Sequence, residues 1–174
     1  MFQRAFSQEQ CKSLVGELLQ LEPSDGTTFS DTGTEYRRSQ IRWVDDHPVI
    51  DAIYKKVVHA NLHSFNVDVE NFHECQFTEY KASYRGRYDW HHDIDHSSGL
   101  MSDRKLSVVV QLSDSGDYEG GNFEFDDVPN PNPDHLRSQG TILIFPSYLR
   151  HKVEDITKGT RYSLVLWFHG PRWR

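Results

Sequence analysis

Hydrophobic positions in the first third of the chain recur at the spacing of an amphipathic α-helix. Ser7 followed by Gln10 forms a capping-box pattern, and the apolar residues after it predict a helix over residues 8 to about 20. Pro48 suits the first turn of a second helix, whose apolar face runs from Val49 to Phe65. We expect both helices to pack that face against a sheet.

The pattern changes after residue 70, where short runs of β-type residues are separated by turn residues. Two helices followed by short strands predict an α+β fold, and the strand spacing favours a double-stranded β-helix, or jelly roll, buttressed by the N-terminal helices. We expect one domain over residues 1–174, with the helices at about 7–65 and the jelly-roll core at about 70–170. After an early strand at Ser39–Val44, the predicted strands are Glu74–Tyr80, Tyr88–Asp93, Lys105–Leu112, Asn122–Phe125, Thr141–Phe145 and Tyr162–Phe168.

Charge and composition narrow the classes of function. The net charge of −7 argues against nucleic acid as the main partner. The N-terminus lacks the apolar segment of a signal peptide and no stretch is apolar enough to span a membrane, so we expect a cytoplasmic protein with no membrane partner. Cys11 and Cys75 match no metal-type spacing and are expected to be reduced thiols.

A His-x-Asp pair at His91 and Asp93, with His151 far downstream, is the strongest candidate for chemistry. Successive side chains of a strand alternate, so His91 and Asp93 should share one face while His92 points to the other. Two imidazoles and a carboxylate suit a non-haem iron(II) ion and leave metal positions open for an oxo-acid and O2. Zinc stays open as an alternative.

The C-terminal strand adds a buried cation to this picture. Alternation places Arg161, Ser163, Val165, Trp167 and His169 on one face of the strand and a hydrophobic set on the other. An inward arginine is costly unless an anion pairs with it. A dicarboxylate would satisfy Arg161 and Ser163 together, and it would balance the charges of iron(II), Asp93 and Arg161. The alternative is a salt bridge from Arg161 to an acidic residue of another strand.

Five segments carry a family resemblance through their order and spacing. The chain resembles the prolyl 4-hydroxylase-like branch of the 2-oxoglutarate- and iron(II)-dependent dioxygenases, including bacterial and phage members, over roughly residues 70–170. Each motif alone is moderately specific, whereas the ordered set is strong. The segments are Gln76–Tyr80, Tyr88–Asp93, Lys105–Ser113, Tyr118–Asn122 and Gly140–Trp167.

The resemblance implies roles for the cofactor-binding residues. His91, Asp93 and His151 are implied to bind iron. Arg161 is implied to bind the distal carboxylate of 2-oxoglutarate, where many of the family's prolyl 4-hydroxylases have lysine. Ser163 is expected, from strand alternation rather than from the resemblance, to bind that carboxylate together with Arg161.

The resemblance also implies residues around the reacting groups. Tyr80 matches a tyrosine that hydrogen-bonds the cosubstrate, and Trp167 matches a tryptophan that lines the active site. The segment between Tyr80 and the His-x-Asp pair is slightly longer than in algal and animal relatives, so Tyr84 competes with Tyr80 for the cosubstrate role. The residues implied to contact substrate are Tyr88, Arg104 and His169.

The implied activity is hydroxylation of an unactivated C–H bond, most readily the 4-position of a prolyl residue in a peptide or protein, with release of succinate and CO2. It would need Fe(II), 2-oxoglutarate and O2, with ascorbate (vitamin C) as reductant. The expected partner is a proline-containing peptide or protein, met in the cytoplasm or, for a phage-encoded chain, in the host cytoplasm. We expect the segment 24–38 to be either a lid over the site or an ordinary solvated loop.

Three other interpretations compete with this one. The His92-Asp93 doublet suggests an HD-type phosphohydrolase, although that fold needs helices around its histidines. A jelly roll can also serve as a non-enzymatic module that binds a small ligand. The most serious rival is an oxygenase of the same fold that acts on another amino-acid side chain or a small molecule, because substrate choice depends on loops.

Overall fold

The computed structural model describes residues 1–26, 36–70, 73–94 and 101–173. Within these ranges no helix is long and apolar enough to cross a membrane. The helices are α1 (Gln8–Leu18), α2 (Pro48–Ala60), a π-helical turn (Asn61–Phe65), a 3-10 turn (Ala82–Tyr84) and α3 (Pro133–Arg137). The strands are β1 (Ser24–Asp25), β2 (Arg37–Arg38), β3 (Gln40–Trp43), β4 (His73–Lys81), β5 (Arg87–His91), β6 (Ser102–Gln111), β7 (Tyr118–Gly120), β8 (Phe123–Phe125), β9 (Ile142–Pro146), β10 (His151–Val153) and β11 (Ile156–Pro171).

The two long helices begin where the sequence predicts. The Ser7 side chain accepts a hydrogen bond from the Gln10 amide, and the Gln10 side chain accepts one from the Ser7 amide, so the capping box of α1 is confirmed. Pro48 opens α2, and the His47 ring caps it by accepting from the Val49 amide. The second helix was expected to continue to Phe65 as one α-helix, but its last five residues form the π-helical turn.

The strands form two sheets that face each other. The larger sheet has the order β1-β3-β4-β11-β6-β9, with β7 paired to the start of β11, and the smaller one has the order β2-β5-β10-β8. Every pairing between the described strands is antiparallel. Short antiparallel strands in two sheets, with the helices on one of them, confirm the α+β expectation.

Two predicted strand boundaries need correction. The strand expected at Tyr88–Asp93 ends at His91, so Asp93 lies in the following turn. The strand expected at Tyr162–Phe168 is much longer, because β11 first pairs with β7 and only then joins β4 and β6. The segment between β8 and β9, for which no helix was predicted, contains the short helix α3, capped by the Asn132 side chain.

The main hydrophobic core lies between the helices and the larger sheet. Leu164, Leu166 and Phe168 of β11 are fully buried in this core together with residues of α1 and α2. Tyr162, on the same face, stacks on Phe77 of β4 with ring centroids 5.6 Å apart. This is the predicted hydrophobic face of β11, and it leaves the opposite face of the strand turned toward the smaller sheet.

Candidate metal centre and ligand pocket

The three predicted metal ligands meet on the smaller sheet. His91 ends β5 and His151 begins β10, and the two residues are direct cross-strand partners. Asp93 follows two residues after His91, and one ligand atom from each residue lies within 4.8 Å of the other two. The Nε2 atoms of both histidines are 3.6 Å from oxygens of the Asp93 carboxylate. This spacing leaves room for one ion between the three groups.

Backbone carbonyls fix the tautomers of both histidines. The Nδ1 atom of His91 donates to the carbonyl of Asp89 at 2.7 Å, and Nδ1 of His151 donates to the carbonyl of Leu149 at 2.9 Å. Each Nε2 atom therefore presents its lone pair to the shared space. Burial and the neighbouring His151 lower the pKa of His91 from its ordinary value to about 3, so the ring is neutral at physiological pH, as a metal ligand requires.

Asp93 is held from two sides although it lies outside the strand. Its amide donates to the carbonyl of Ser147 at 3.0 Å, and its Oδ2 accepts from the Ser107 hydroxyl at 2.6 Å. Burial alone would raise the pKa of this carboxyl, but the imidazoles of His151 and His91 outweigh that effect and lower it to about 2. The site thus offers two imidazole nitrogens and one carboxylate.

His92 takes no part in this centre. Its side chain is exposed, and its Nδ1 atom donates to the carbonyl of Tyr148 at 2.7 Å. The predicted separation of His91 from His92 is therefore confirmed. The HD-type phosphohydrolase interpretation is wrong, because the two members of the His92-Asp93 doublet point to different places and the histidines of the cluster stand on strands.

One face of β11 forms a wall of the same cavity. Arg161, Ser163, Val165 and Trp167 line it together with the three candidate ligands, as alternation predicts. The His169 side chain does not line the cavity, and a register shift interrupts the pairing of β11 with β6 between Phe168 and His169.

Arg161 is buried in this cavity without an acidic partner among the described residues. Its side chain is 4% exposed, and its Nε donates to Oε1 of Gln111 at 3.1 Å. Its guanidinium carbon lies 5.7 Å from the centroid of the Tyr80 ring. Within the described part of the chain, Arg161 therefore does not form the salt bridge to an acidic residue of another strand that was the alternative; the glutamates Glu79 and Glu74 of β4 pair with Lys81 and Arg104 instead. A buried guanidinium in this setting is suited to an anionic ligand.

The structure separates the two tyrosines that compete for the cosubstrate. Tyr80 is buried in the cavity wall, where burial raises the pKa of its phenol and keeps it a hydrogen-bond donor. Tyr84 lies in the 3-10 turn outside that wall, and its hydroxyl donates to the carbonyl of Glu79 at 3.0 Å. Of the two, Tyr80 is the one placed to meet a ligand in the cavity.

The three residues expected to contact substrate lie in two places. Tyr88 lines the cavity and stacks on His91 with ring centroids 3.4 Å apart. Arg104 and His169 lie outside the cavity lining and converge on Glu74 of β4, at 2.7 and 2.9 Å from its Oε2 atom. Glu74 was not singled out from the sequence, since a lone glutamate at a strand end carries no chemical signal.

Sequence reasoning also missed Arg37 as a component of the cavity. Its side chain is buried and lines the cavity, and its Nη2 donates to Oε1 of Gln76 at 2.7 Å. Its guanidinium carbon lies 4.5 Å from the centroid of the Tyr88 ring. Arg37 lies near the end of the candidate lid 24–38, most of which, residues 27–35, is outside the described residues.

Comparison with known proteins supports the chemistry of this donor set. Residues 75–169, more than half of the chain, match the model of the 2OG-Fe(II) oxygenase superfamily. The chain belongs to this superfamily. The matched range contains all three candidate metal ligands, and neutral imidazoles with a carboxylate are the donors that non-haem iron(II) prefers.

Individual relatives agree with this assignment. A PKHD-type hydroxylase of Prochlorococcus marinus is 32% identical over 131 residues, which cover 75% of this chain and 55% of that protein. The chain spans about half the length of the curated relatives that it matches.

Solved structures confirm the jelly-roll architecture. A prolyl-4-hydroxylase of Pseudomonas putida superposes with a TM-score of 0.74 at 20% identity, covering 98% of this chain and 91% of that one. The collagen prolyl hydroxylase of Paramecium bursaria Chlorella virus-1, solved with 2OG, also gives a TM-score of 0.74, at 18% identity and with 97% and 94% covered. At these identities the likeness concerns the fold.

Proposed function

We propose that this protein is an Fe(II)- and 2-oxoglutarate-dependent oxygenase that hydroxylates an unactivated C–H bond of a prolyl residue, at its 4-position, in a peptide or protein. The observation that carries the proposal is the convergence of His91, Asp93, His151 and Arg161 on one buried cavity. A metal-binding face and a buried guanidinium in one cavity are the two parts that a chelating dicarboxylate needs.

The candidate ligands would hold the metal from one side. Nε2 of His91, Nε2 of His151 and the Asp93 carboxylate would form a 2-His-1-carboxylate face. A face of this type would leave room on a non-haem iron ion for further ligands. The Ser107 hydroxyl and the two carbonyls that accept from the histidines keep these side chains oriented before the metal binds.

Arg161 would hold the far end of the cosubstrate. Its guanidinium can bind the distal carboxylate of 2-oxoglutarate, with Ser163 two residues further along the same face and Tyr80 in the adjacent wall. The net charge of the site would then be zero. Iron(II) with Asp93 leaves one positive charge, Arg161 adds a second, and the dicarboxylate brings two negative charges.

The bound iron and 2-oxoglutarate would supply the oxidation of the C–H bond by O2, with succinate and CO2 as products and ascorbate as a reductant. No side chain needs to act as a general acid or base. The protein's part is to orient the ligands and to exclude water, which the apolar wall of Val109, Phe123, Val165 and Trp167 can do.

The choice of a prolyl substrate has indirect support. Two solved proteins that share the fold are named as prolyl hydroxylases, and one of them is named as a collagen prolyl hydroxylase. The chain's net charge of −7 fits a peptide or protein partner better than nucleic acid. We propose the cytoplasm as its location, which accords with two free cysteines.

Anaerobic binding of 2-oxoglutarate to the Fe(II)-loaded protein, measured by calorimetry, tests the cofactor assignment. Asp93→Ala should abolish turnover while the protein stays folded. Arg161→Ala should weaken the binding of 2-oxoglutarate far more than the binding of iron. Equal weakening of the binding of both ligands would show that Arg161 has another role. Absence of any 2-oxoglutarate binding to the wild type would contradict the proposed function.

Identification of the hydroxylated product tests the substrate assignment. Proline-containing peptides incubated with the enzyme, Fe(II), 2-oxoglutarate, ascorbate and O2 should gain the mass of one oxygen atom at proline in mass spectrometry. Succinate release without any such gain across a proline-rich peptide set would favour an oxygenase of the same fold with another substrate.

A further inference from the structure

The indole N–H of Trp167 is a buried donor in the cavity wall. The residue is 5% exposed, and its Nε1 atom has no hydrogen-bond partner among the described residues. A buried N–H group normally finds an acceptor, because its hydrogen bond to water is lost on burial. Phenylalanine would give the same apolar wall without that cost, so the donor calls for an acceptor that the described residues do not themselves provide.

Strand register places this donor at the metal end of the cavity. Trp167 stands between Glu74 of β4 and Ser107 of β6 as direct cross-strand neighbours. Ser107 is the residue whose hydroxyl donates to Oδ2 of Asp93. Arg161 lies six residues earlier on the same face of β11, so Trp167 and Arg161 mark opposite ends of this wall.

A charged cluster fixes the orientation of the indole. The guanidinium carbon of Arg104 lies 3.9 Å from the centroid of the Trp167 ring, which is cation–π distance. Both Nε and Nη2 of Arg104 are 2.7 Å from Oε2 of Glu74, and Nε2 of His169 is 2.9 Å from the same oxygen. Arg104 thus covers the ring while Glu74 holds Arg104, so the ring is oriented before a ligand arrives.

We propose that the indole N–H of Trp167 donates a hydrogen bond to a carbonyl or carboxylate oxygen of a ligand bound at the metal end of the cavity. This rests on the proposed function and adds to it a ligand-binding donor that is separate from Arg161. The acceptor is either the metal-side carboxylate of 2-oxoglutarate or a carbonyl of the peptide substrate. Glu74 and Arg104 are positioning residues for this donor.

Nuclear magnetic resonance of the indole groups tests the proposal directly. The chain has four tryptophans, and loss of one indole signal in Trp167→Phe assigns that residue in 15N-labelled protein. Zn(II), which is diamagnetic, takes the place of iron, and 2-oxoglutarate and then poly-L-proline are titrated. We expect the Trp167 indole proton to move downfield, several times further than that of Trp90, which lies outside the cavity lining.

The step at which the signal moves identifies the acceptor. A shift on addition of 2-oxoglutarate assigns the hydrogen bond to the cosubstrate carboxylate, and a shift only after the peptide assigns it to a substrate carbonyl. Trp167→Phe should also raise the dissociation constant of that same ligand, measured by calorimetry, roughly tenfold, as expected for one lost hydrogen bond to a buried group.

Trp43→Phe is the matched control. The Trp43 ring neighbours that of Trp167, at 6.4 Å between centroids, but it is 46% exposed and lies outside the cavity lining, so this variant should bind both ligands like the wild type. An indole signal of wild-type Trp167 that stays in place with both probes, while calorimetry shows 2-oxoglutarate bound, would overturn the proposal. Affinities of Trp167→Phe for 2-oxoglutarate and for poly-L-proline that equal those of the wild type would also overturn the proposal. Failure of the wild type to bind 2-oxoglutarate would overturn the proposed function and this proposal with it.

Discussion

Ser107→Ala should weaken metal binding without removing a metal ligand. The Ser107 hydroxyl is fully buried, donates to Oδ2 of Asp93 at 2.6 Å and lies 2.9 Å from the hydroxyl of Ser147. Asp93 stands outside the strand, so the turn geometry alone does not fix the direction of its carboxylate. Removal of the hydroxyl leaves Oδ2 free to rotate away from the two histidines.

The expected magnitude follows from the type of bond that is lost. A hydrogen bond to a charged group contributes about 1.5–3 kcal/mol. Each 1.4 kcal/mol corresponds to about tenfold in a binding constant. We therefore expect Fe(II) to bind roughly 10- to 100-fold more weakly, which is also the usual effect of losing an outer-shell partner of a metal ligand.

The assay is an anaerobic Fe(II) titration in competition with a chromophoric chelator. Ser13→Ala is a matched control, because the Ser13 hydroxyl also donates to a carboxylate, that of Glu17 at 2.6 Å, but on the exposed surface of α1. It should leave the affinity for Fe(II) unchanged. If Ser107→Ala binds Fe(II) within about twofold of the wild type, the hydroxyl does not orient Asp93 and the reasoning fails.

Two further predictions concern stability and the thiols. Gly140→Ala should lower the free energy of unfolding, measured in urea, by roughly 3 kcal/mol or more. Gly140 has a φ of +80°, and an added Cβ would lie 2.0 Å from the carbonyl oxygen of Phe6. The control Gly16→Ala should be neutral or slightly stabilising, because an added Cβ there has nothing within 4 Å, and equal effects of the two substitutions would refute the argument. Burial raises the pKa of Cys11 to about 11 and that of Cys75 to about 12, so both stay protonated at pH 8 and should react with a thiol reagent only after unfolding. Fast labelling of either thiol in the native protein would contradict this.

Local geometry explains what could be predicted about the site. Strand alternation has a fixed period of two, so the shared face of Arg161, Ser163 and Trp167 and the separation of His91 from His92 follow from spacing alone. The register shift between Phe168 and His169 limits what this rule says about the end of β11. His169 lies after this shift, and its side chain leaves the cavity for Glu74.

The parts that no pattern predicted depend on pairing between distant segments. Arg37 reaches the cavity because β2 pairs with β5, which brings it beside Tyr88 although the two are far apart in sequence. Ser107 reaches Asp93 from a different sheet, across the space between β6 and the end of β5.

The sequence by itself therefore determined the fold class, the candidate metal-binding triad and the face of β11 that holds the arginine. Each of these rests on residue type, on spacing along the chain and on the order of the motifs that carry the family resemblance. The tertiary structure alone decided which side chains orient the triad, which tyrosine meets the cavity, and that the Trp167 indole is left with a buried donor. The physical reason is that hydrogen-bond partners of buried groups come from whichever strands pack together, and that packing is a property of the whole chain.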